Sequence, residues 1–195
     1  MPSAKGGPKG HTGPGRPRCY DEAEVLDKAL QVFWRQGYEA TSVDDLTAAM
    51  GLSRSSFYSA FGSKHGVLIA VLKSYSQVGL EALEQLAEGP RDQAIKAMLE
   101  ALSAPSGGPR GCMLVNCITE LAPQHEEVAD LGRRHLERIE DLFAKALSPD
   151  NPDAARDKAR ALSALAIGTL TLRKSGMPAE SISTALEAAR TILAT

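Results

Sequence analysis

Long apolar runs, aromatic residues and cysteine are all scarce in this sequence, and each scarcity narrows the class of protein. Of the 195 residues, 5% are aromatic and three are cysteines, Cys19, Cys112 and Cys117. An odd and small number of cysteines does not make a disulfide scaffold. No apolar run approaches the roughly 20 residues of a membrane-spanning helix, so no membrane contact is expected. The N-terminus also lacks the apolar core of a signal peptide, and the sequence therefore predicts a cytoplasmic protein.

Acidic residues are missing from two stretches of a chain whose formal net charge is -2. Residues 1–20 carry four basic residues and no acidic one, and the acid-free stretch 46–80 contains Arg54, Lys64 and Lys73. The net charge argues against a protein that coats nucleic acid through bulk charge. A local excess of positive charge nevertheless indicates an anion-binding surface.

The first 18 residues contain five glycines and four prolines, which resist both helix and strand. We therefore expect residues 1–20 to form a flexible basic arm. Two roles remain open for this arm, which is either an inert tail or a segment that contacts DNA phosphates.

From Asp21 onward the apolar residues recur with a helical period, and no segment is typical of a strand. A helix from Asp21 ends at Gly37, and a second begins at Thr41 or Ser42 and ends at Gly51. The sequence thus predicts an all-α fold. Ser53 and Ser63 are expected to cap the next two helices, the second of which is long and reaches Glu88, and further helices are predicted over 112–121, 126–147, 152–175 and 178–193.

The second and third predicted helices have the dimensions of a helix-turn-helix, in which the second helix of the motif enters the DNA major groove. Arg54, Ser55 and Ser59 place hydrogen-bond donors on the outward side of that helix, whereas Phe57 can turn inward. Lys64 falls in the first turn of the long helix, where the helix dipole disfavours a cation, so a bound anion explains it better than helix stability. An ordinary solvated face of a helical protein is the alternative.

The stretch 37–68, GYEATSVDDLTAAMGLSRSSFYSAFGSKHGVL, resembles the DNA-binding signature of the tetracycline-repressor (TetR) family of bacterial transcription regulators. The matching positions are Gly37, Tyr38, Thr41, Val43, Leu46, Ala49, Gly51, Ser53, Tyr58, Phe61, Ser63, Lys64 and Leu68. Three positions depart from the pattern, namely Phe57, Ala60 and His65. Of these, Ala60 removes one polar contact with DNA.

The resemblance implies an all-helical homodimer that acts as a ligand-responsive repressor and not as an enzyme. It would occlude a palindromic operator in double-stranded DNA and be released by a small-molecule effector, without a cofactor. The implied organisation is a three-helix DNA-binding domain at 21–66, after the arm at 1–20, joined by a long helix to a ligand-binding and dimerisation domain at 67–195. By analogy, Thr41, Ser42, Ser53, Tyr58 and Lys64 position the recognition helix on phosphates, and Arg54, Ser55 and Ser59 contact base edges.

The last two predicted helices carry rows of apolar and small residues, which permit close helix approach. The resemblance places a four-helix dimer interface here, and an intramolecular core is the alternative. The interface is expected to contain Leu162, Leu165, Thr169, Ile182, Leu186 and Ala189.

The segment 111–122, GCMLVNCITELA, places polar side chains among apolar neighbours on a short helix. Such polar groups line a ligand cavity, cap neighbouring helices or lie at the surface. The predicted cavity residues are Tyr75, Met98, Cys112, Asn116, Cys117, Glu120 and His135.

The cysteines suggest two further chemistries. Cys112 and Cys117 diverge by roughly 140° on a helix, so they cannot share one zinc ion, and no metal site is expected. A thiol-based redox or electrophile sensor on the same scaffold, using Cys112 or Cys117, is an alternative function. A cysteine nucleophile paired with His135 lacks a third, orienting group, which argues against an enzyme. A helical protein-interaction domain without a DNA role is the remaining alternative.

Overall fold

The computed structural model describes residues 21–103 and 108–194, and this part of the chain contains helices and no strand. The predicted arm at 1–20 lies outside the described residues, as does Cys19. Within these ranges the α-helices are α1 (Glu22–Gln36), α2 (Val43–Met50), α3 (Arg54–Phe61), α4 (Lys64–Ala87), α5 (Arg91–Ser103), α6 (Met113–Leu121), α7 (Glu126–Leu147), α8 (Arg156–Lys174) and α9 (Ala179–Ala194). Short 3-10 turns at Gly108–Arg110 and Pro152–Ala155 precede α6 and α8. The all-α prediction is confirmed.

The helices of the N-terminal part begin at the side chains that the sequence indicates. Ser42 caps α2 in a capping box, because its hydroxyl accepts from the Asp45 amide while the Asp45 carboxylate accepts from the Ser42 amide. The hydroxyls of Ser53 and Ser63 accept amide hydrogen bonds at the starts of α3 and α4. Gly51 ends α2 in the left-handed conformation, with φ of 68°, which a glycine adopts at no steric cost. The short turn between α2 and α3 follows from these local choices.

One apolar core joins α1, α2, α3 and the first half of α4 to α6 and α7. Phe33 of α1, Leu46 of α2 and Phe57 of α3 are at most 1% exposed. Leu68 of α4 and Leu114 of α6 are fully buried in the same cluster. The core of the helix-turn-helix therefore continues into the helices that follow it, beyond the predicted boundary at residue 66.

A second core lies between the end of α4 and helices α5, α7, α8 and α9. Its side chains include Phe143 of α7, which is fully buried, and Met98 of α5, which is 1% exposed. The prediction that Met98 lines a ligand cavity is therefore wrong, because its side chain fills this core.

Four of the six residues predicted for a dimer interface belong to the chain's own interior. Leu162, Thr169 and Ile182 are each 1% exposed, and Leu186 is 7% exposed. Helix α8 packs on α5, α7 and α9, and α9 packs also on α5, which covers these side chains within one chain. This corrects the predicted interface and supports the alternative of an intramolecular core for them. Leu165 is partly buried against the second core, and Ala189 is partly exposed.

Across the described ranges, none of the helices combines the length and the apolar character that crossing a bilayer requires.

Candidate nucleic-acid interface and ligand cavity

Helix α3 is anchored by one aromatic side chain and presents a polar face to solvent. Phe57 is fully buried, whereas Arg54, Ser55, Tyr58 and Ser59 are all exposed, Tyr58 to 48%. Four of the predicted DNA-binding side chains thus lie on a surface helix whose opposite side is fixed in the core. Ser42 and Ser53, the caps of α2 and α3, are also exposed.

The Arg54 guanidinium is engaged by a carboxylate of the preceding helix. Its Nε and Nη2 donate to Oδ1 of Asp44 at 3.0 and 2.5 Å. Both side chains are well exposed, at 65% and 68%. The positive charge predicted to contact bases is therefore paired with Asp44 in the structure, and three of the five N–H donors of the guanidinium lie outside this pair.

Lys64 ties the start of α4 to the turn between α1 and α2. Its ammonium donates to the backbone carbonyls of Tyr38 at 2.9 Å and Glu39 at 3.4 Å, and it lies 4.3 Å from the centroid of the Tyr38 ring. These carbonyls supply negative partial charge that explains a cation in the first turn of a helix. An ammonium has three donors, so one remains for a phosphate.

Thr41 is a buried residue that stabilises the same turn. It is 2% exposed, and its hydroxyl donates to the Gly37 carbonyl at 2.6 Å. The expectation that the Thr41 side chain contacts a phosphate is corrected, because the hydroxyl is buried and bonded within the chain.

Ser56 of α3 was not among the predicted residues, yet it is exposed and its hydroxyl accepts from Ser53 at 2.9 Å. The sequence signal that could have identified Ser56 is its position next to Ser55 in a helix with mostly polar residues.

A cavity of about 710 Å³ is lined by residues of α1, α4, α5, α6, α7 and α8. This volume falls in the range typical of small-molecule sites. Apolar side chains form most of its wall, for example Leu30 and Trp34 of α1 and Val71 of α4. Val78 of α4 also lines it and is 64% exposed, so the cavity opens to solvent beside that residue.

The structure divides the predicted cavity residues into two sets. Tyr75, Cys112 and His135 line the cavity. Asn116, Cys117 and Glu120 instead line a neighbouring groove of about 610 Å³ between the end of α1, α6 and α8. Sequence reasoning missed the contribution of α1 to the cavity wall, and it missed a cationic residue. The polar and charged wall residues outside the predicted set are Asp27, Gln31, Ser74 and Arg110.

The Arg110 guanidinium lies against the face of Trp34, with its carbon 4.6 Å from the ring centroid. Its Nη1 donates to Oε1 of Gln31 at 3.2 Å. The Asn116 amide donates to the Arg110 carbonyl at 2.9 Å and accepts from Lys174 of α8 at 2.9 Å, which fixes the turn that carries the arginine. Arg110 is thus fixed by three contacts: the stacking on Trp34, the side-chain hydrogen bond to Gln31 and the bond of its backbone carbonyl to Asn116.

Three titratable side chains in this region are kept uncharged by burial. Burial raises the pKa of the Tyr75 phenol, whose hydroxyl donates to Sγ of Cys112 at 3.6 Å. Burial lowers the pKa of His135 to about 4, and its Nδ1 is 2.7 Å from the Ser76 hydroxyl. Burial raises the pKa of the Cys117 thiol to about 12, so this cysteine stays protonated and unreactive at neutral pH.

Stacked rings join the N-terminal helices to α7. The rings of His65, in the first turn of α4, and His125, the residue before α7, are 5.1 Å apart and nearly parallel. Tyr38 packs edge-on against both. Nε2 of His65 is 3.5 Å from the Glu127 carboxylate. These contacts connect the start of α7 to the residues that hold the turn before α2.

One face of α8 and α9 carries small and apolar side chains that no other helix of the described chain covers. Gly168 is part of it, and a Cβ at this position meets no atom within 4 Å. The face consists of Ala161, Ala164, Gly168 and Leu172 of α8 with Ala185 and Ala188 of α9. We call this set the α8–α9 face.

No cluster of three or more His, Cys, Asp or Glu side chains arranged to hold a metal ion occurs in residues 21–103 and 108–194.

Residues 25–71, which contain α2, α3 and most of α1, match the model of a family described as bacterial regulatory proteins, tetR family. Among curated proteins, the chain is 32% identical over 139 residues to the HTH-type transcriptional regulator YezE of Bacillus subtilis, covering 68% of this chain and 71% of YezE. It is 33% identical over 129 residues to the HTH-type transcriptional repressor ComR of Escherichia coli, with coverage of 62% and 61%. The match thus spans less than two thirds of ComR.

Among solved structures, the fold is similar to that of the TetR family transcriptional regulator CifR, seen as a cysteine mutant complexed with a 26-base-pair double-strand operator DNA. The TM-score is 0.76 at 26% identity, and the superposition covers 90% of this chain and 98% of CifR. The similarity therefore extends over both cores of the fold.

Proposed function

The chain belongs to the tetR family of bacterial regulatory proteins, and on that premise we propose that it is a repressor released from operator DNA by a small molecule. ComR is named a transcriptional repressor, and the CifR structure holds operator DNA, which supports the same role for a chain with this fold. The observation that carries the proposal is the exposed polar face of α3, fixed by the buried Phe57.

In this proposal α3 is the recognition helix. Its exposed Ser55 and Ser59 offer hydroxyls to base edges, and Arg54 adds a guanidinium once Asp44 releases it. Phosphate contacts from Ser42, Ser53, Tyr58 and Lys64 set the position of the helix in the groove. Thr41 makes no DNA contact in this proposal, and its hydrogen bond to the Gly37 carbonyl stabilises the turn before α2.

A palindromic operator is read by two copies of the chain, with half-sites about 34 Å apart. We propose that the α8–α9 face forms the contact between the copies. Its alanines and Gly168 permit two helix pairs to approach closely, and Leu165 and Ala189 lie at its border. In this proposal the exposed residues of the α8–α9 face form the interface, in place of the buried residues Leu162, Thr169, Ile182 and Leu186.

Release follows from the position of the cavity. Helix α4 carries Lys64 at its first residue and lines the cavity from Val71 onward, and α1 lines the same cavity with Trp34. A ligand that pushes α4 and α1 apart moves the Lys64 contact and the turn before α2. Coupling between two such sites is typically about 1 to 3 kcal/mol, which is about a 5- to 150-fold loss of DNA affinity.

A fluorescence-anisotropy titration on DNA selected by the wild-type chain tests the recognition helix. The triple variant Ser55→Ala, Tyr58→Ala, Ser59→Ala should bind at least about tenfold more weakly, since each lost base or phosphate contact costs about 1 to 3 kcal/mol. The matched control is Ser183→Ala, which removes the hydroxyl of an exposed serine in α9. Unchanged affinity of the triple variant would refute the assignment of α3.

Cys112 supports a second candidate function, in which a reactive thiol in the cavity triggers release. It lines the cavity at the residue before α6 and receives the Tyr75 hydroxyl bond. Cys117 is 3% exposed and its pKa is raised by burial, which leaves Cys112 as the candidate of the two. A compound that alkylates Cys112 would occupy the same space as a reversible effector.

Iodoacetamide tests the thiol candidate, because alkylation forms an S–C bond that adds a group inside the cavity, while iodide leaves and the thiol proton passes to water. If Cys112 is the sensor, alkylation releases operator DNA from the wild-type chain and from Cys117→Ala, but not from Cys112→Ala. If alkylated protein keeps its operator, the thiol candidate is rejected and the reversible effector remains.

A further inference from the structure

We propose that the effector is a compact apolar molecule bearing a carboxylate, and that Arg110 binds this carboxylate at the cavity wall. The inference rests on the proposed function, in which the cavity is the effector site, and it adds the chemical class of the ligand. It derives from a feature of the wall that an apolar ligand alone does not explain, a cation stacked on an indole.

Arg110 has most of its hydrogen-bonding capacity available. A guanidinium carries five N–H donors, and in the described chain only one of them has an acceptor, Oε1 of Gln31. No carboxylate of the described residues lies within ion-pair distance of Arg110. Glutamine is neutral, so the positive charge itself is not compensated there. An anion with two coplanar oxygens is the ligand that the geometry of a guanidinium fits best.

The guanidinium is also held in place before any ligand arrives. It stacks on Trp34, and its backbone carbonyl is bonded to Asn116, which is bonded in turn to Lys174. A preorganised arginine loses less side-chain entropy when it forms a bidentate contact than a mobile one. Arginine side chains at such stacked positions are suited to recognising planar anions.

The rest of the wall fits an apolar body with a single anionic group. Leu30, Val71 and Ile139 are among its apolar residues, and the cavity of about 710 Å³ holds a molecule well above the size of a simple acid. The neutral His135 and the protonated phenol of Tyr75 add no negative charge.

Asp27 is the one carboxylate among the wall residues of this cavity, and it opposes an anionic ligand. It lies one helical turn before Gln31 on α1 and is exposed, so water and salt screen its charge. Arg110 is half-buried against the indole, where electrostatic interactions are stronger. The balance therefore favours an anion, and a cationic ligand paired with Asp27 is the competing outcome.

Trp34 provides the readout, because it is the only tryptophan of the chain and lies in the cavity under Arg110. Three probes share one non-absorbing body and differ in charge, namely 4-cyclohexylbutyrate, 4-cyclohexylbutanamide and 4-cyclohexylbutylamine. Each is titrated into the full-length protein at fixed ionic strength while tryptophan fluorescence is recorded. We expect the carboxylate to bind at least about tenfold more tightly than the amide, as charged hydrogen bonds imply.

Substitutions at Arg110 test whether this residue causes the preference for the carboxylate over the amide. Arg110→Met should remove the difference between carboxylate and amide. If the methionine variant does not fold, Arg110→Lys, which keeps the charge but loses the bidentate fork, should show a smaller difference than the wild-type chain. Arg91→Met removes the same charge from the exposed start of α5, outside this cavity and the neighbouring groove, and should leave all three affinities unchanged. Equal binding of carboxylate and amide, tightest binding of the amine, absence of binding by all three, or a preference that survives Arg110→Met overturns the proposal.

Operator release is measured separately, by mobility shift with each probe at saturation. If the carboxylate binds through Arg110 while the operator stays bound, the ligand class stands and the proposed release mechanism fails. If the amide or the amine alone releases the operator, the ligand class fails and release stands.

Discussion

The Arg54 guanidinium at the start of α3 is bound by the Asp44 carboxylate of α2 through two hydrogen bonds, at 3.0 and 2.5 Å. Arg54 is the only cation of that helix. The positive charge of α3 is thus paired with a carboxylate of the neighbouring helix. If α3 is the recognition helix, as proposed, DNA competes with Asp44 for Arg54.

Asp44→Asn should therefore strengthen operator binding. The exposed pair contributes about 0.2 to 1 kcal/mol, so releasing Arg54 raises affinity up to about fivefold. Removal of a negative charge beside DNA acts in the same direction. Anisotropy titrations at a single salt concentration measure the effect, and Asp92→Asn, which deletes an exposed carboxylate of α5, is the control. A weaker complex with Asp44→Asn would show that the pair positions Arg54 instead of restraining it.

Lys64→Ala should weaken binding to every DNA sequence alike and reduce the dependence of log affinity on log salt by about one counterion. The reason is the third donor of its ammonium, since two already bond the carbonyls of Tyr38 and Glu39. Lys73→Ala is the matched control, because Lys73 pairs with Glu127 of α7 at 3.6 Å. Loss of thermal stability with an unchanged salt slope would assign Lys64 to the turn alone.

Ala164→Arg should separate the proposed dimer. A charged, long side chain in the centre of the α8–α9 face is incompatible with close helix approach, whereas Gln85→Arg on the exposed side of α4 adds the same charge elsewhere. Light scattering should give a mass near 20.7 kDa for Ala164→Arg and twice that for the control. If both variants have the dimer mass, the interface lies on another surface of the chain.

Acid should destabilise the fold through His135. Burial lowers its pKa from 6.5 to about 4, so between these values the unfolded chain binds the proton and the folded chain does not. The free energy of unfolding therefore falls as pH falls through this window, by about 2 to 3 kcal/mol at pH 4.5. Urea unfolding at pH 7.5 and 4.5 should show a smaller loss for His135→Asn, which can keep the Ser76 bond. An equal loss in both proteins would exclude His135 as the source.

The helix starts could be predicted from the sequence because capping is local. Ser42, Ser53 and Ser63 each bond an amide three residues ahead, and no distant part of the chain is needed for that. The polar face of α3 follows equally from spacing within eight residues. The resemblance to a family then gave these residues a common role.

The exposed α8–α9 face and the cavity could not be predicted in the same way. Helix α8 has apolar residues on two sides, and only the packing of α5, α7 and α9 shows that Leu162 is covered while Ala164 is not. Similarly, the periodicity of α1 places Trp34 on the buried side without revealing the cavity beside it. Arg110 contacts Trp34 from 76 positions away, a pairing that no local pattern contains.

Selection of bound duplexes from a random DNA library measures whether α3 reads a palindromic operator, as proposed. The wild-type chain should enrich one sequence composed of two inverted half-sites about 34 Å apart. Arg54→Ala should enrich the same spacing with relaxed preference at one position of each half-site. Enrichment of no sequence, or of the same sequence with the same preference by both proteins, would show that Arg54 of α3 does not read the operator.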